Sequence, residues 1–289
     1  MIWQTSRFQL DLSRPHVMGI VNATPDSFSD GGQYFSSAAS LSGVFVHCEK
    51  LLSEGADILD IGGESTRPGA PPVPLAQELA RVLPVVRHAL TLGVPVSVDT
   101  YKPEVMRAVL DLGADIVNDI WALRQPGALQ AVAAHPACGV CLMHMHREPQ
   151  TMQAQPMHGD VVPQVLSFLQ HEAQALQAAG VEKARIVLDA GVGFGKTLAQ
   201  NFSLLARQHE LLAAGYPVLA AWSRKSSLAA VCGAPAGEPL DMAGRLVPSV
   251  AAALLAVERG ARIVRVHDVR ETVQALKVWT AASRPAAQD

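Results

Sequence analysis

The sequence predicts an α/β fold, a (β/α)8 (TIM) barrel, and two observations carry this prediction. Short runs rich in Val, Ile and Leu alternate with helical patterns eight times along the 289 residues, as in a parallel sheet with crossover helices. Each apolar run also ends in polar side chains, and barrel folds carry their functional groups at the carboxyl ends of strands. An open, doubly wound sheet is the competing topology, but no predicted strand is followed by the G-x-G-x-x-G of a dinucleotide site.

Eight strands and eight helices follow from the pattern in chain order. The strands lack a polar face, because strands of a parallel sheet are covered on both sides; they are 17–22, 57–62, 95–99, 115–119, 139–144, 185–189, 217–222 and 262–267. Apolar residues at helical spacing mark 38–54, 75–90, 103–112, 127–134, 160–179, 200–214, 242–258 and 270–283. Residues 1–15 alternate loosely, which predicts a hairpin closing the bottom of the barrel. We expect residues 1–289 to form a single barrel domain.

Composition restricts the classes of partner. The chain is 49% hydrophobic and 17% charged, with a net charge of −3 and no block of like charges. Neither a nucleic acid nor a membrane surface is therefore expected as a partner. No apolar run reaches the ~18 residues of a membrane span, and the N-terminal segment lacks the apolar core of a signal peptide. A cytoplasmic protein is the expectation.

Two short motifs resemble binding sites but are better explained by structure. Cys138 and Cys141 form a C-x-x-C on a predicted strand, where residues three apart face opposite sides, so we expect core thiols rather than a zinc site. The G-x-G-K at 193–196 lacks the spacing of a phosphate-binding P-loop. Its glycines, Gly193 and Gly195, are expected to permit a close backbone approach.

The loop behind the first strand combines groups that suit ligand binding. The strand ends at Asn22, whose amide oxygen can ligate a cation. The residues that follow include the aromatic Phe28 and the carboxylate Asp30. The alternative is an ordinary surface loop, in which Asp and Ser side chains only stabilise turns.

Polar residues near the ends of later strands form a first chemical set, Asp99, Asn118, Asp189 and Lys225. A carboxylate that accepts two N–H bonds suits an aminopyrimidine edge, and an amide or ammonium suits a ring carbonyl. This set therefore predicts a site for a pterin- or purine-like heterocycle. A structural ion pair between Asp99 and Lys225 is the alternative.

A second set, Asn22, Arg67, Arg265 and His267, predicts an anion site. Arginine is preferred for binding phosphate, because its planar guanidinium can donate two parallel hydrogen bonds to the oxygens. Arg265 and His267 lie two residues apart on a predicted strand, so they share a face and can act together.

With these residues in place, the chain resembles the bacterial dihydropteroate synthases along essentially its whole length. The motifs that carry the resemblance occur in the order NATPDSFSDGG, DIGGESTRPGA, SVDTYKPEV, NDI, MHM, GFGK, SRKS and RVHDV. The resemblance implies a (β/α)8 barrel that condenses 6-hydroxymethyl-7,8-dihydropterin diphosphate with p-aminobenzoate, giving 7,8-dihydropteroate and diphosphate in folate biosynthesis. It also implies use of Mg²⁺, a homodimer and a target of sulfonamides.

The resemblance assigns binding roles residue by residue. It implies that the pterin is held by Asp99, Asn118, Asp189 and Lys225, with Met143 as an apolar wall. It implies that the diphosphate is held by Asn22, Arg67, Arg265 and His267, with Asn22 as a magnesium ligand. It implies that p-aminobenzoate is bordered by Thr66, Arg67, Pro68, Phe28, Phe194 and Ser226. Phe28 and Asp30 would belong to a first loop that closes over the site.

The resemblance also implies how the reaction is catalysed, by Asp99, Asp189, Lys225 and Asp30. The leaving group is a diphosphate, whose developing charge must be met by Mg²⁺ and fixed cations. We expect Asp99 and Asp189 to stabilise the cationic pterin methylene and Asp30 to steer the amine. A closed loop would exclude water, which would otherwise trap the cation.

The chain departs from the family's pattern at several positions, among them Ala190, Val192, Ala221 and Trp222. Ala221 and Trp222 are expected near the pterin floor, where an added methyl group could narrow the slot. Two other functions therefore stay open. One is a pterin-binding paralogue with weak or no synthase activity, and the other is a barrel similar to methyltetrahydrofolate–corrinoid methyltransferases. The latter needs neither the S-T-R-P loop nor the R-V-H pair.

Overall fold

The computed structural model describes residues 1–24, 38–65, 69–148, 151–233 and 239–283. The strands in these residues are β1 (Ile2–Gln4), β2 (Gln9–Asp11), β3 (His16–Asn22), β4 (Ile58–Gly62), β5 (Val96–Asp99), β6 (Ile116–Asp119), β7 (Gly139–Met143), β8 (Ile186–Asp189), β9 (Val218–Ala220) and β10 (Ala261–Val266). Among the described strands, the eight from β3 to β10 close into a parallel barrel in chain order. The predicted fold class is confirmed.

Helices cover the outside of the barrel. Within the described ranges they are α1 (Ala38–Ser53), α2 (Leu75–Leu90), α3 (Pro103–Leu112), α4 (Ala128–Ala133), α5 (Val161–Ala178), α6 (Leu198–Ala206), α7 (Ser226–Val231), α8 (Leu246–Glu258) and α9 (Val269–Ser283). No helix in the part of the chain that the structure describes is long and apolar enough to cross a membrane.

Alternation along the strands separates the helix-packed side from the barrel interior. Cys138, just before β7, packs among the helices, whereas Cys141 on β7 faces inward, so the two thiols lie on opposite sides as predicted. The lower interior is filled by apolar side chains from β3, β4, β6, β7, β8, β9 and β10, which are Met18, Ile58, Ile116, Cys141, Val187, Leu219 and Ile263. Polar side chains replace them towards the carboxyl ends of the strands.

The predicted N-terminal hairpin covers the amino-terminal ends of the barrel strands. β1 and β2 pair antiparallel, and the buried Trp3 donates from its indole nitrogen to the carbonyl of Arg185, just before β8, at 2.9 Å. Arg7 donates from Nη2 to Asp115, just before β6, at 2.6 Å. The hairpin therefore closes the bottom of the barrel, and the opposite end is left for ligands.

Three segments differ from the sequence-based assignment. β9 ends at Ala220 rather than at 222, and the predicted helix 200–214 is α6 followed by a 3-10 helix over Gln208–Ala214. α7 was not predicted, because a helix of six residues is too short to show a periodic pattern.

Candidate active site

The register of the strands aligns polar residues across the top of the barrel. Asn22 lies opposite Gly62, Gly62 lies opposite Asp99, and Asp99 lies opposite Asn118 on β6. Alternation directs these positions towards the interior. Gly62 has no side chain, so space is left between Asn22 and Asp99.

Arg265 on β10 reaches across the barrel interior to two carboxylates. Its Nε donates to Oδ2 of Asp60 at 2.6 Å, and its Nη2 donates to Oδ2 of Asp99 at 2.8 Å. The same oxygen of Asp60 accepts from the amide of Asn118 at 3.2 Å. The alternative of a structural pair between Asp99 and Lys225 is not found among the described residues, since Asp99 pairs with Arg265.

Asp60 belongs to this site, although neither sequence-derived set included it. Its side chain is fully buried, and its Oδ1 has no hydrogen-bond partner in the described part of the chain. The signal that could have found it is alternation, because Asp60 lies two residues before Gly62 and shares its inward face. A buried carboxylate is costly unless it is paired, and Arg265 supplies that pair.

Burial dominates the electrostatics of the site. It raises the pKa of Asp99, which the charge of Arg265 opposes and that of Asp60 reinforces. Burial also raises the pKa of Asp189, against a hydrogen bond from Gly191. The ionised state of each carboxylate therefore depends on cations held inside the barrel.

Asp189 and Lys225 form the other side of the site, beside an apolar wall. Asp189 ends β8 opposite Met143, and its Oδ1 accepts from the backbone N–H of Gly191 at 2.8 Å. The ammonium of Lys225 lies 4.5 Å from the ring centre of Phe194, and burial lowers the pKa of Lys225 to about 8. The wall is one buried cluster, Ile120, Met143, Met145, Met152 and Phe194.

His267, just after β10, is oriented by Ser223. The hydroxyl of Ser223 lies 2.9 Å from Nδ1 of His267, and the same oxygen accepts from the backbone N–H of His267 at 3.1 Å. The hydroxyl can donate to Nδ1, and in that arrangement the ring hydrogen lies on Nε2. Burial, together with the charges of Arg224 and Arg265, lowers the pKa of His267 to about 3. Without a bound anion, His267 is therefore a neutral ring that can hydrogen-bond a ligand.

A close backbone approach occurs in the loop after β8. At Gly191, whose φ is +65°, an added Cβ would lie 1.8 Å from the carbonyl oxygen of His144. At Gly195 it would lie 2.7 Å from Cβ of His146, as the sequence predicts. At Gly193 the nearest atom would be 3.5 Å away, so the predicted close approach is wrong there.

Buried and half-buried charges connect the loop after β4 to its neighbours. Lys102 contacts the carboxylates of both Glu64 and Glu78, and the hydroxyl of Tyr101 donates to Glu64 at 2.8 Å. These contacts hold the chain two residues before Thr66.

Several predicted site residues cannot be placed in this geometry. Ser226 is exposed at the first position of α7. The residues predicted in the first loop and in the S-T-R-P loop lie outside the described residues and stay predictions; they are Phe28, Asp30, Thr66, Arg67 and Pro68.

Trp222 does not face the barrel interior, so its expected place near a pterin floor is wrong. Its buried ring packs on Phe202 with 5.5 Å between ring centres. Ala221, just after β9, packs against the interior cluster, whereas Trp222 shares a cluster on the helix side with Ala220 of β9. Ala190 and Val192 also belong to clusters on the helix side. Three of these four departures from the family pattern therefore point away from the site.

Known proteins are similar to this chain in sequence and in fold. The family described as pterin binding enzymes matches residues 18–267. The dihydropteroate synthase of Neisseria meningitidis serogroup C is 49% identical over 282 residues, 97% of either chain. That of Burkholderia cenocepacia, solved with 7,8-dihydropteroate, is 51% identical with a TM-score of 0.85, over 97% of this chain and 96% of that one. That of Xanthomonas albilineans, solved with 4-aminobenzoic acid, is 47% identical with a TM-score of 0.89. The match covers 99% of this chain and 100% of that one.

Proposed function

The chain belongs to the dihydropteroate synthases of the pterin-binding enzyme family, and we propose that it condenses 6-hydroxymethyl-7,8-dihydropterin diphosphate with p-aminobenzoate. The observation that carries this function is a set of buried and half-buried donors and acceptors at the carboxyl end of the barrel. Asp99, Asn118 and Asp189 end or nearly end their strands, and the ammonium of Lys225 lies over Phe194. A flat, polar heterocycle suits such a site, because its edge needs hydrogen bonds and its faces need apolar walls.

The pterin edge has natural partners on this side of the barrel. Asp189 uses Oδ1 for the backbone N–H of Gly191, and its other oxygen can accept from the amino-pyrimidine N–H groups. Lys225 can donate to the ring carbonyl. Met143 and Phe194, both in the apolar wall, can cover one face of the ring.

The diphosphate is proposed to bind where Arg265, His267 and Asn22 converge, with Arg67 from the loop after β4. Arg265 uses Nε and Nη2 for carboxylates, so Nη1 remains for a phosphate oxygen. His267 offers Nε2–H. Its neutral ring means that the fixed positive charge for the anion comes from arginine.

In the reaction the C–O bond to diphosphate breaks, and its electron pair leaves with the diphosphate. The amine nitrogen of p-aminobenzoate then forms a bond to the pterin methylene and loses a proton, which the released diphosphate can accept. Asp99 and Asp189 are proposed to stabilise the cationic methylene through their charge, while Lys225 orients the ring. Asp30 is proposed to steer the amine, and p-aminobenzoate to be bordered by Phe28, Thr66, Arg67, Pro68, Phe194 and Ser226.

Mg²⁺ is proposed as the metal ion, with Asn22 as a ligand. No group of three potential carboxylate, histidine or cysteine ligands occurs among the described residues. Asn22 is half-buried at the end of β3, and one amide oxygen fits an ion held mainly by phosphate oxygens and water. When bound, the ion would neutralise charge on the leaving diphosphate. An Asn22→Leu variant should need more Mg²⁺ for half-maximal rate than the parent.

A homodimer is proposed through α8. Its Val247, Ala251 and Leu255 are exposed at four-residue spacing, and such an apolar stripe marks an interaction surface. In sedimentation or size-exclusion measurements, Val247→Glu should shift the protein towards the monomer. Val278→Glu changes a similarly exposed position of α9 and should keep the oligomeric state of the parent.

A cytoplasmic location is proposed because all four cysteines are free thiols. Free thiols persist in a reducing compartment, whereas secreted proteins tend to form disulfides.

The experiment that tests the function is a diphosphate-release assay with both substrates. Release that depends on p-aminobenzoate supports the synthase. Pterin binding without release would indicate the weak paralogue, and methyl transfer from methyltetrahydrofolate without diphosphate release would indicate a methyltransferase-like barrel.

A further inference from the structure

A buried lysine lies directly behind the site and is not used by the proposed chemistry. Lys196, the last residue of the G-x-G-K motif, is 3% exposed. Within the described residues its ammonium forms no ion pair and instead donates to three backbone carbonyl oxygens. These belong to Gly191 at 2.8 Å, Phe194 at 3.1 Å and His144 at 3.4 Å. Burial lowers the pKa of Lys196 to about 7, and the three carbonyls are the contacts that stabilise its charged form.

The three carbonyls belong to two different loops at the top of the barrel. His144 follows β7, whereas Gly191 and Phe194 follow β8. The two loops touch so closely at Gly191 that no side chain fits there, because a Cβ would lie 1.8 Å from the oxygen of His144. Lys196 therefore ties the β8 loop to the end of β7.

The segment that Lys196 fastens carries groups of the site. Phe194 lies under the ammonium of Lys225 at 4.5 Å and packs in the apolar wall with Met143. Asp189 lies two residues before Gly191 and is joined to it by a hydrogen bond of 2.8 Å. A shift of this loop would move Phe194 relative to both substrates.

Other hydrogen bonds also hold the β8 loop, but they act at different residues from the ammonium of Lys196. Asn201 accepts from the backbone N–H of Gly193 at 2.8 Å and donates to the carbonyl of Lys196. The backbone N–H of Met157 donates to the carbonyl of Gly195. These bonds act at other residues, so only the ammonium of Lys196 reaches the carbonyl of Phe194 itself among the described side chains.

We infer that Lys196 is a positioning residue, whose buried ammonium fixes the β8 loop so that Phe194 is held against p-aminobenzoate and Lys225. This inference rests on the proposed function, since it assigns Phe194 to the p-aminobenzoate site. It explains why the G-x-G-K motif ends in lysine although its spacing does not form a phosphate-binding loop.

The test is a double-mutant cycle with Lys196→Met and Phe194→Ala. Methionine keeps most of the side-chain volume and removes the ammonium. Each single change should raise the KM for p-aminobenzoate about tenfold, the effect of one or two lost contacts, and should lower kcat by a smaller factor. If Lys196 acts through Phe194, the double variant should show about the same KM as either single variant, since the two changes remove one shared contact.

Two controls separate this role from a general loss of stability. Lys277→Met, at an exposed position of α9, should keep the parent's KM. If Lys196→Met does not yield folded protein, the same cycle is run with Lys196→Leu, which also removes every N–H donor of the side chain.

The outcomes distinguish the inference from the function on which it rests. A parent enzyme that forms no product would reject the proposed function. A parent that turns over, combined with KM effects that multiply to about a hundredfold in the double variant, would overturn the positioning role. An unchanged KM for p-aminobenzoate in Lys196→Met would also overturn the positioning role.

Discussion

Two buried carboxylates at opposite ends of the barrel allow stability and catalysis to be separated. Asp60, at the site, and Asp115, at the bottom, are both fully buried and both pair with an arginine at 2.6 Å. Asp60→Asn keeps the side-chain shape and removes the charge that faces Arg265. Asp115→Asn makes the same change where no substrate is expected.

The magnitudes follow from the contacts of each carboxylate. A hydrogen bond to a charged group contributes about 1.5–3 kcal/mol. Asp60 makes one strong bond to Arg265 and a longer one to Asn118, and Arg265 keeps Asp99 after the change. We therefore expect Asp60→Asn to lower the free energy of unfolding by about 2–3 kcal/mol. Asp115 accepts from Arg7 and from the backbone of Val96, so its change should cost about 3 kcal/mol.

Activity should respond very differently in the two variants. Urea unfolding gives the stability of each, and steady-state kinetics are then measured at a temperature where both are folded. Asp60→Asn should lower kcat/KM for the pterin diphosphate about 100-fold, or roughly 2.7 kcal/mol, because Arg265 and Asn118 lose their shared partner. Asp115→Asn should stay within about twofold of the parent. If Asp60→Asn is destabilised but keeps the parent's kcat/KM, the reasoning that Asp60 organises the site is refuted.

Three further outcomes are expected. Gly191→Ala should lower the free energy of unfolding, measured by thermal unfolding, by more than about 4 kcal/mol, because the new Cβ meets a carbonyl oxygen. Gly113 also has a positive φ but lies in open space, so Gly113→Ala should lower it by only about 1–2 kcal/mol. The pKa of Lys225 is lowered to about 8, so kcat/KM for the pterin diphosphate should fall as pH rises through about 8, and Lys225→Gln should remove that step. The sign for stability is opposite: the unfolded lysine still binds its proton up to about 10.4, so stability should rise with pH between these values. Trp222→Phe should lower the free energy of unfolding by about 1–2 kcal/mol and leave the KM for both substrates unchanged. A raised KM would show that Trp222 contributes to substrate binding.

The barrel could be predicted because its strands carry a strong and regular signal. Continuous apolar runs such as β3 and β4, separated by long helical patterns, leave few topologies other than a parallel sheet. Polar residues at strand ends, such as Asp99 and Asp189, were likewise visible because they interrupt apolar runs. The three-residue β9 and the short α7 were less well predicted, since neither is long enough to show its period.

Contacts across the barrel could not be predicted from the pattern along the chain. The pattern along the chain predicts that Arg265 binds an anion, and the structure shows that it also pairs with Asp60 and Asp99. This pairing joins β10 to β4 and β5 and depends on barrel closure. Trp222 was misplaced because an apolar residue near a strand end fits either face until the strand's alternation is known. In physical terms, the sequence specifies which residues are buried more readily than which buried residues meet.

The formation of the C–N bond is the central claim, and labelled p-aminobenzoate tests it most directly. The enzyme is given the pterin diphosphate and p-aminobenzoate that carries ¹⁵N at its amine, and dihydropteroate and diphosphate are measured in the same sample. The account expects the label in the dihydropteroate, with one diphosphate released for each molecule formed, and no release when p-aminobenzoate is omitted. Diphosphate released at the same rate without p-aminobenzoate, or no labelled product at all, would contradict it.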